Sequence, residues 1–362
     1  MKKALVLLTN VIMLAAIVTG CSGNSSTAPA SNSTVPVSSS AAPSSSTQSE
    51  AVTPEVQWPA GNTIYFDVPG KAGGGTDLIT RYLTNGWTPL ISANIVVTNY
   101  DTPEVGAQHA AKAKPDGMTL TMSTCTNMDN YLTGSSEVHP IDDLTVIAKI
   151  NAGGAQAFFT RVDAPYSNMQ ELKEYALANP GGPIVGCTLG GTSQLMWLKV
   201  VKAMGGIELN YVQCSSEADK LANVAASSID LGNGSLNNCI AYEADNRIKI
   251  LGIMSYSEEA GKNDINPDLG DQYLTTWEQG FRDSSWLAGY YVVGPAGMDE
   301  ALVEKINQSL QEAVKSDSYV NGMKDMAMVV DVRNVADSRA EYSKEWEIQV
   351  ELTKDAGINV RG

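Results

Sequence analysis

The chain has 362 residues, with 24 Lys plus Arg against 40 Asp plus Glu, for a formal net charge of −16. That balance argues against nucleic acid or an anionic membrane surface as a charge-matched partner. Only two His are present, too few for a His-built metal site, and no cofactor motif or hydrolase motif accompanies them.

The N-terminus reads as an export signal. Lys2 and Lys3 precede a mostly apolar run over 4–18, and Val18-Thr19-Gly20-Cys21 follows. The run is too short and weakly flanked for a stable span. Its ending resembles the bacterial lipobox, which makes Cys21 the expected lipid attachment point and 1–21 the leader. Residues 22–58 are dominated by Ser, Thr, Ala and Pro, with only Glu50 and Glu55 charged. Such a segment has too little apolar surface to offset its ordering entropy, so a disordered linker is expected. Its root-mean-square reach is roughly 30–35 Å, enough to tether a domain near a membrane partner.

From residue 59 the rhythm is strand, small-residue turn, helix. Ile64, Phe66 and Val68 alternate as a strand, 69–75 turn, and Leu78, Ile79, Tyr82 and Leu83 stripe a helix opening near Thr76. Further strands are expected at 95–97, 118–122, 144–150 and 157–162, with a helix over 104–112 and a polar loop at 123–127. A second series begins near Tyr166. Ser167 with Gln170 reads as a capping box for a helix reaching Asn179. Strands at 184–187, 208–212, 229–231 and 248–254 alternate with helices that follow 190–193, 214–216 and 232–235. The last part repeats the first pattern, with strands at 287–293 and 328–332 and helices over 299–316 and 339–354.

Alternating β and α imply α/β architecture with mostly parallel sheets covered on both faces. A chain that leaves one sheet and returns gives two lobes, 59–160 with 285–362 and 161–284. The four remaining cysteines, Cys125, Cys187, Cys214 and Cys239, allow three pairings, and free buried thiols are the favoured reading in a body this large.

In open α/β sheets ligands lie beyond the carboxyl ends of strands, where helix starts offer unpaired N–H groups to an anion. Five small or polar loops stand at such points. Candidate ligand contacts are Ala72, Gly73, Gly74, Gly75 and Thr76, then Ser123, Thr124, Thr126 and Asn127 from the first lobe. Thr192, Ser193, Ser215, Ser216 and Asn233 are the candidates from the second. Any one loop taken alone is as well explained by helix capping and turn chemistry. Five over two lobes point to a cleft.

Several segments carry a family likeness. Val68-Pro69-Gly70-Lys71-Ala72-Gly73-Gly74-Gly75-Thr76-Asp77 resembles the glycine-rich first loop and helix of the tripartite tricarboxylate transporter receptors, the Bug receptors. Lys114-Pro115-Asp116-Gly117-Met118-Thr119-Leu120, Glu278-Gln279-Gly280-Phe281 and Gly294-Pro295-Ala296-Gly297 are similar to later elements of the same family, in order along 59–362. The resemblance implies a two-lobed periplasmic-binding-protein-like fold, a Venus flytrap. It also implies a small di- or tricarboxylate or related organic acid gripped by backbone amides and hydroxyls, and delivery to the membrane permease subunits. Asp77 matches the family's motif Asp and reads as an acid stabilising the first turn of its helix. Three places depart from the pattern: 99–103 lacks the family's Gly-rich turn, Lys71 replaces a small residue, and Cys214-Ser215-Ser216 replaces a Tyr-Lys-Gly-like turn. The function expected is therefore an extracytoplasmic, membrane-anchored solute-binding receptor rather than an enzyme. Its alternatives are a ligand-sensing receptor for a membrane signalling partner and, last, a secreted hydrolase.

Overall fold

A computed structural model describes residues 57–361 apart from 215, 255–260, 266–268, 287 and 327. The expected leader, Cys21, the linker up to residue 56 and the candidate contact Ser215 lie outside the described residues. The folded body starts earlier than expected. Trp58, assigned to the linker, is 5% exposed, tilts against Trp87 and donates its indole N–H to the Gly117 carbonyl.

The chain runs β1 (Ile64–Val68), α1 (Gly75–Ile91), β2 (Ile95–Asn99), α2 (Pro103–Ala111), β3 (Thr119–Ser123), α3 (Cys125–Leu132) and β4 (Leu144–Ala152). It continues through β5 (Gln156–Thr160), α4 (Met169–Ala178), β6 (Ile184–Cys187), α5 (Thr192–Ala203), β7 (Asn210–Gln213) and α6 (Glu217–Ala225). Then come β8 (Leu231–Ser235), α7 (Leu236–Ala244), β9 (Lys249–Met254), a short α8 (Lys262–Ile265) and β10 (Gly289–Pro295). Helices α9 (Glu300–Ala313), α10 (Asp317–Asp325) and α11 (Val335–Asp355) close the chain.

Two five-stranded sheets result, ordered β2-β1-β3-β10-β4 and β7-β6-β8-β5-β9. Strands β2, β1 and β3 run parallel, as do β7, β6 and β8. Each sheet takes the strand arriving from the other half antiparallel: β10 beside β3 in the first, β5 beside β8 in the second. The strand β5 therefore belongs to the second sheet, and the first crossing falls at 153–155 rather than at 160.

Both faces of each sheet are covered. In the first sheet Ile64, Phe66 and Leu120 pack with Ile79, Leu83 and Trp87 of α1 and with Ile306 and Leu310 of α9. On the other face Val146, Tyr291 and Val293 meet Met128 of α3 and Tyr342 of α11. In the second sheet the alternation of β5 sends Phe158 to the Trp197 side and Phe159 to the Leu221 and Cys239 side. Phe158 and Trp197 stack edge to face at 4.7 Å. Helix α11 serves both halves: Tyr342 packs under the first sheet, while Leu352 joins the Trp197 cluster of the second. All four described cysteines are buried and free.

Other local expectations shift for physical reasons. Segment 232–235, expected as a turn, is strand β8 in the middle of its sheet. Its turn-like composition reflects crowding, since a Cβ at Gly232 would lie 2.7 Å from the Phe159 ring. The expected strand over 328–332 only runs beside β4, with one bridge from Val330 to Asn151. Helix α4 is capped by Asn168, which accepts from the Glu171 amide, rather than by Ser167. Helix α10 was not foreseen. Its weak helix formers are held by burial of Tyr319, Gly322 and Met323, and Ser316 caps it by accepting from the Tyr319 amide.

Candidate functional site

A cavity of about 170 Å³ opens where the two sheets face one another. The first half supplies Thr124, Cys125 and Thr126, the cap and first turn of α3. The second half supplies Thr192 and Met196 from α5, with Met254 at the end of β9. Its floor comes from the two crossings: Gly153, Gly154 and Gln156 on the way out, Trp286, Ala288, Gly289 and Tyr290 on the way back. The crossings touch, for a Cβ at Gly153 would sit 2.9 Å from the Ala288 carbonyl oxygen. A volume below the roughly 300–1,000 Å³ of drug-sized pockets suits a ligand of few heavy atoms.

The electrostatics favour an anion without a cation. No Lys, Arg or His is among the described residues lining the cavity. Thr124 and Thr126 at the start of α3 and Thr192 at the start of α5 line it, so the partially positive ends of both helices lie beside it, with the Thr124 and Asn127 amides of α3 already paired in a capping box. Tyr290 adds a hydroxyl, and burial pushes its phenol up to about 12, so it stays protonated and able to donate. Beneath the cavity two carboxyls are hidden. Asp129 on α3 is 2% exposed, and its Oδ2 accepts from the Thr192 hydroxyl at 2.6 Å. Glu345 on α11 accepts from the Tyr291 hydroxyl at 2.6 Å. Desolvation raises both carboxyls to about 7, against the hydrogen bonds from Thr192 and Tyr291. Burial also drives the Cys125 thiol well up, with the charges of Asp129 and Glu345 adding to it.

Of the candidate contacts, Thr124, Thr126 and Thr192 meet at the cavity. The glycine-rich loop stands just outside it. Ala72, Gly73, Gly74 and Gly75 are exposed and Thr76 half-buried, and none of them lines the cavity. A Cβ at Gly75 would nevertheless lie 3.9 Å from the Tyr290 hydroxyl, so the start of α1 abuts the cavity wall. Gly73 has φ +79°, and its amide is already taken by the Asp77 carboxylate at 2.8 Å. Asp77 also accepts from Arg81 and Asn99. Desolvation would raise this carboxyl, but the bonds from Arg81, Gly73 and Asn99 outweigh it and hold it low. Asp77 thus braces the loop rather than facing the cavity.

The remaining candidates are engaged elsewhere. Ser123 is fully buried and hydrogen-bonded to the Tyr342 hydroxyl at 2.7 Å. The Asn127 side chain accepts from the Thr124 amide, and Ser193 Oγ accepts from the Thr188 amide. Ser216 is exposed and caps α6 by accepting from the Asp219 amide. Asn233 is 1% exposed inside β8, bonded to Lys220 Nζ and to the Met196 sulfur, one layer behind the cavity. The crossing residues were missed. Gly153-Gly154 directly after a strand was the available signal for them; Trp286 had none, because only the long-range return of the chain brings it there.

Residues 79–350 match the family model described as the tripartite tricarboxylate transporter family receptor. The chain belongs to this family. Its members are substrate-binding receptors, not enzymes. A UPF0065 protein of Bordetella pertussis is 26% identical over 263 residues, covering 70% of this chain and 76% of the relative. Among solved structures, a TctC solute binding protein from Polaromonas aligns with a TM-score of 0.68 at 19% identity, over 83% of this receptor and the whole of that chain. An R. palustris protein, Rpa4515 with adipate, aligns with a TM-score of 0.65 at 21% identity, over 84% of this receptor and 99% of that chain. At those identities the likeness shows the fold, and the receptor is a two-lobed α/β binding protein. A larger groove of about 570 Å³, lined by Tyr65, Gln108, His109, Lys112 and Lys114 at the β1–α2 side, contains none of the candidate contacts.

Proposed function

We propose that this receptor captures a small carboxylate in the cavity between its halves, outside the cytoplasm, and delivers it to the membrane subunits of a tripartite tricarboxylate-type permease. One observation carries the reading: the first turns of α3 and α5, from opposite halves, converge on a cavity of about 170 Å³ together with Tyr290. Orphan amides at helix starts and a protonated phenol bind a carboxylate without a salt bridge. The adipate held by one structural relative is in keeping with this chemistry. Calorimetric titration with mono-, di- and tricarboxylates tests it. At least one acid is expected to bind saturably, with a thermal shift to match. Heat and melting temperature that stay flat across the whole panel would contradict it.

The same proposal places the receptor on a lipid at Cys21, with 22–56 as the spacer. Cys21→Ser is expected to move the protein from the membrane fraction to the soluble one while leaving acid binding intact. Retention of the variant in the membrane fraction would remove the lipid from the account.

A further inference from the structure

The geometry points to Asp129 as the residue that decides which end group the Thr192 wall accepts: one that donates a hydrogen bond rather than a second carboxylate. This rests on the carboxylate reading above and narrows it to a class, a small acid carrying a hydroxyl, amine or amide away from its carboxylate. A threonine hydroxyl has one proton and two lone pairs. With Asp129 ionised, as at pH 8, above its value of about 7, Thr192 commits that proton to Asp129 Oδ2 at 2.6 Å, the short distance of a charge-assisted bond. Only lone pairs then remain to face the cavity that Thr192 lines.

Asp129 is built into the site rather than passing near it. It lies four residues after Cys125 on α3, so the two share a face of that helix, and its charge acts on the Cys125 thiol in the cavity wall. Its Oδ1 is buried and has no hydrogen-bond partner among the described residues. A like-charged group arriving at Thr192 would meet lone pairs with a hidden carboxylate behind them. A hydroxyl or ammonium would meet an acceptor. Met196 and Met254 give the cavity apolar surface for the carbon chain between the two ends. Specificity of this kind is strong, because a mismatched end group leaves buried polar atoms unpaired.

The test compares acids of equal length by calorimetry at pH 8: succinate against 4-hydroxybutyrate and 4-aminobutyrate, and adipate against 6-hydroxyhexanoate. The wild-type receptor is expected to favour the donor-ended acid of at least one length by tenfold or more. Asp129→Asn should shrink that preference at least tenfold, since a carboxamide no longer claims the threonine proton through a charge. Thr192→Val provides a second route to the same loss should the first variant fold poorly. A merely structural role would weaken both acids of a pair together and leave their ratio unchanged. A wild-type preference for succinate or adipate, or a ratio that survives both substitutions, overturns the assignment and leaves the carboxylate reading standing. Absence of binding by every acid overturns both.

Discussion

Asp129 and Glu345 hold their protons near neutrality because water is excluded from them, and each keeps one oxygen with no hydrogen-bond partner among the described residues. Their consequence for stability has a definite sign. Both folded values are raised, to about 7 from 3.8 and 4.5, so between those limits the folded state binds protons that the unfolded chain has released. Stability is greatest below the unfolded values and falls as pH rises toward 7, by on the order of 3–4 kcal/mol per group. Urea unfolding should therefore give a larger free energy at pH 5 than at pH 8, and Glu345→Gln should flatten the difference. A profile that rises from pH 5 to 8 would contradict this assignment. Asp77 and Asp331 act in the opposite sense, but at lower pH, because hydrogen bonds from Arg81 and Lys149 outweigh their desolvation and hold them down. Part of this was legible in the sequence, where Arg81 stands four residues after Asp77 on the same helix and Thr133 stands at that place after Asp129; the burial of Asp129 was not, because it comes from tertiary packing.

Helix starts are the elements proposed to do the recognition, and they are what the sequence displays best. Alternation at Ile64, Phe66 and Val68, the glycines before α1 and Ser216 before α6 are local signals, written within a few residues. β8 defeats the same reasoning because Gly232 and Asn233 answer to Phe159 and Lys220 across the sheet, not to their neighbours in the chain. Gly75 offers a direct test of the α1 start. It is the first residue of its helix, and a Cβ there meets only ordinary contacts, at 3.9 Å, with Met326 and the Tyr290 hydroxyl. Gly75→Leu should leave stability within about 1 kcal/mol, since leucine is the better helix former. It should lower acid affinity at least tenfold by crowding Tyr290. Unchanged affinity, or equal loss of affinity and stability, would return this glycine to a purely structural role.

At the scale of the whole molecule, two crossings and one long helix join the halves. The crossings form the cavity floor, and α11 spans from the Tyr342 cluster to the Trp197 cluster. The two-sheet plan was readable from the β/α alternation, but the part its crossings play was not, because 153–155 and Trp286, Ala288, Gly289 and Tyr290 acquire their role only by meeting each other. A ligand between the halves touches both sheets and the floor at once, and so is expected to stabilise the folded state by about 2.7 kcal/mol at a hundredfold excess over its dissociation constant. The most direct test is a crystal structure of the receptor with its tightest-binding acid. Density is expected for the carboxylate beside Thr126 and Tyr290, with the donor end of the acid at Thr192. Density in the Lys112 and Lys114 groove, with the interlobe cavity unchanged, would contradict it.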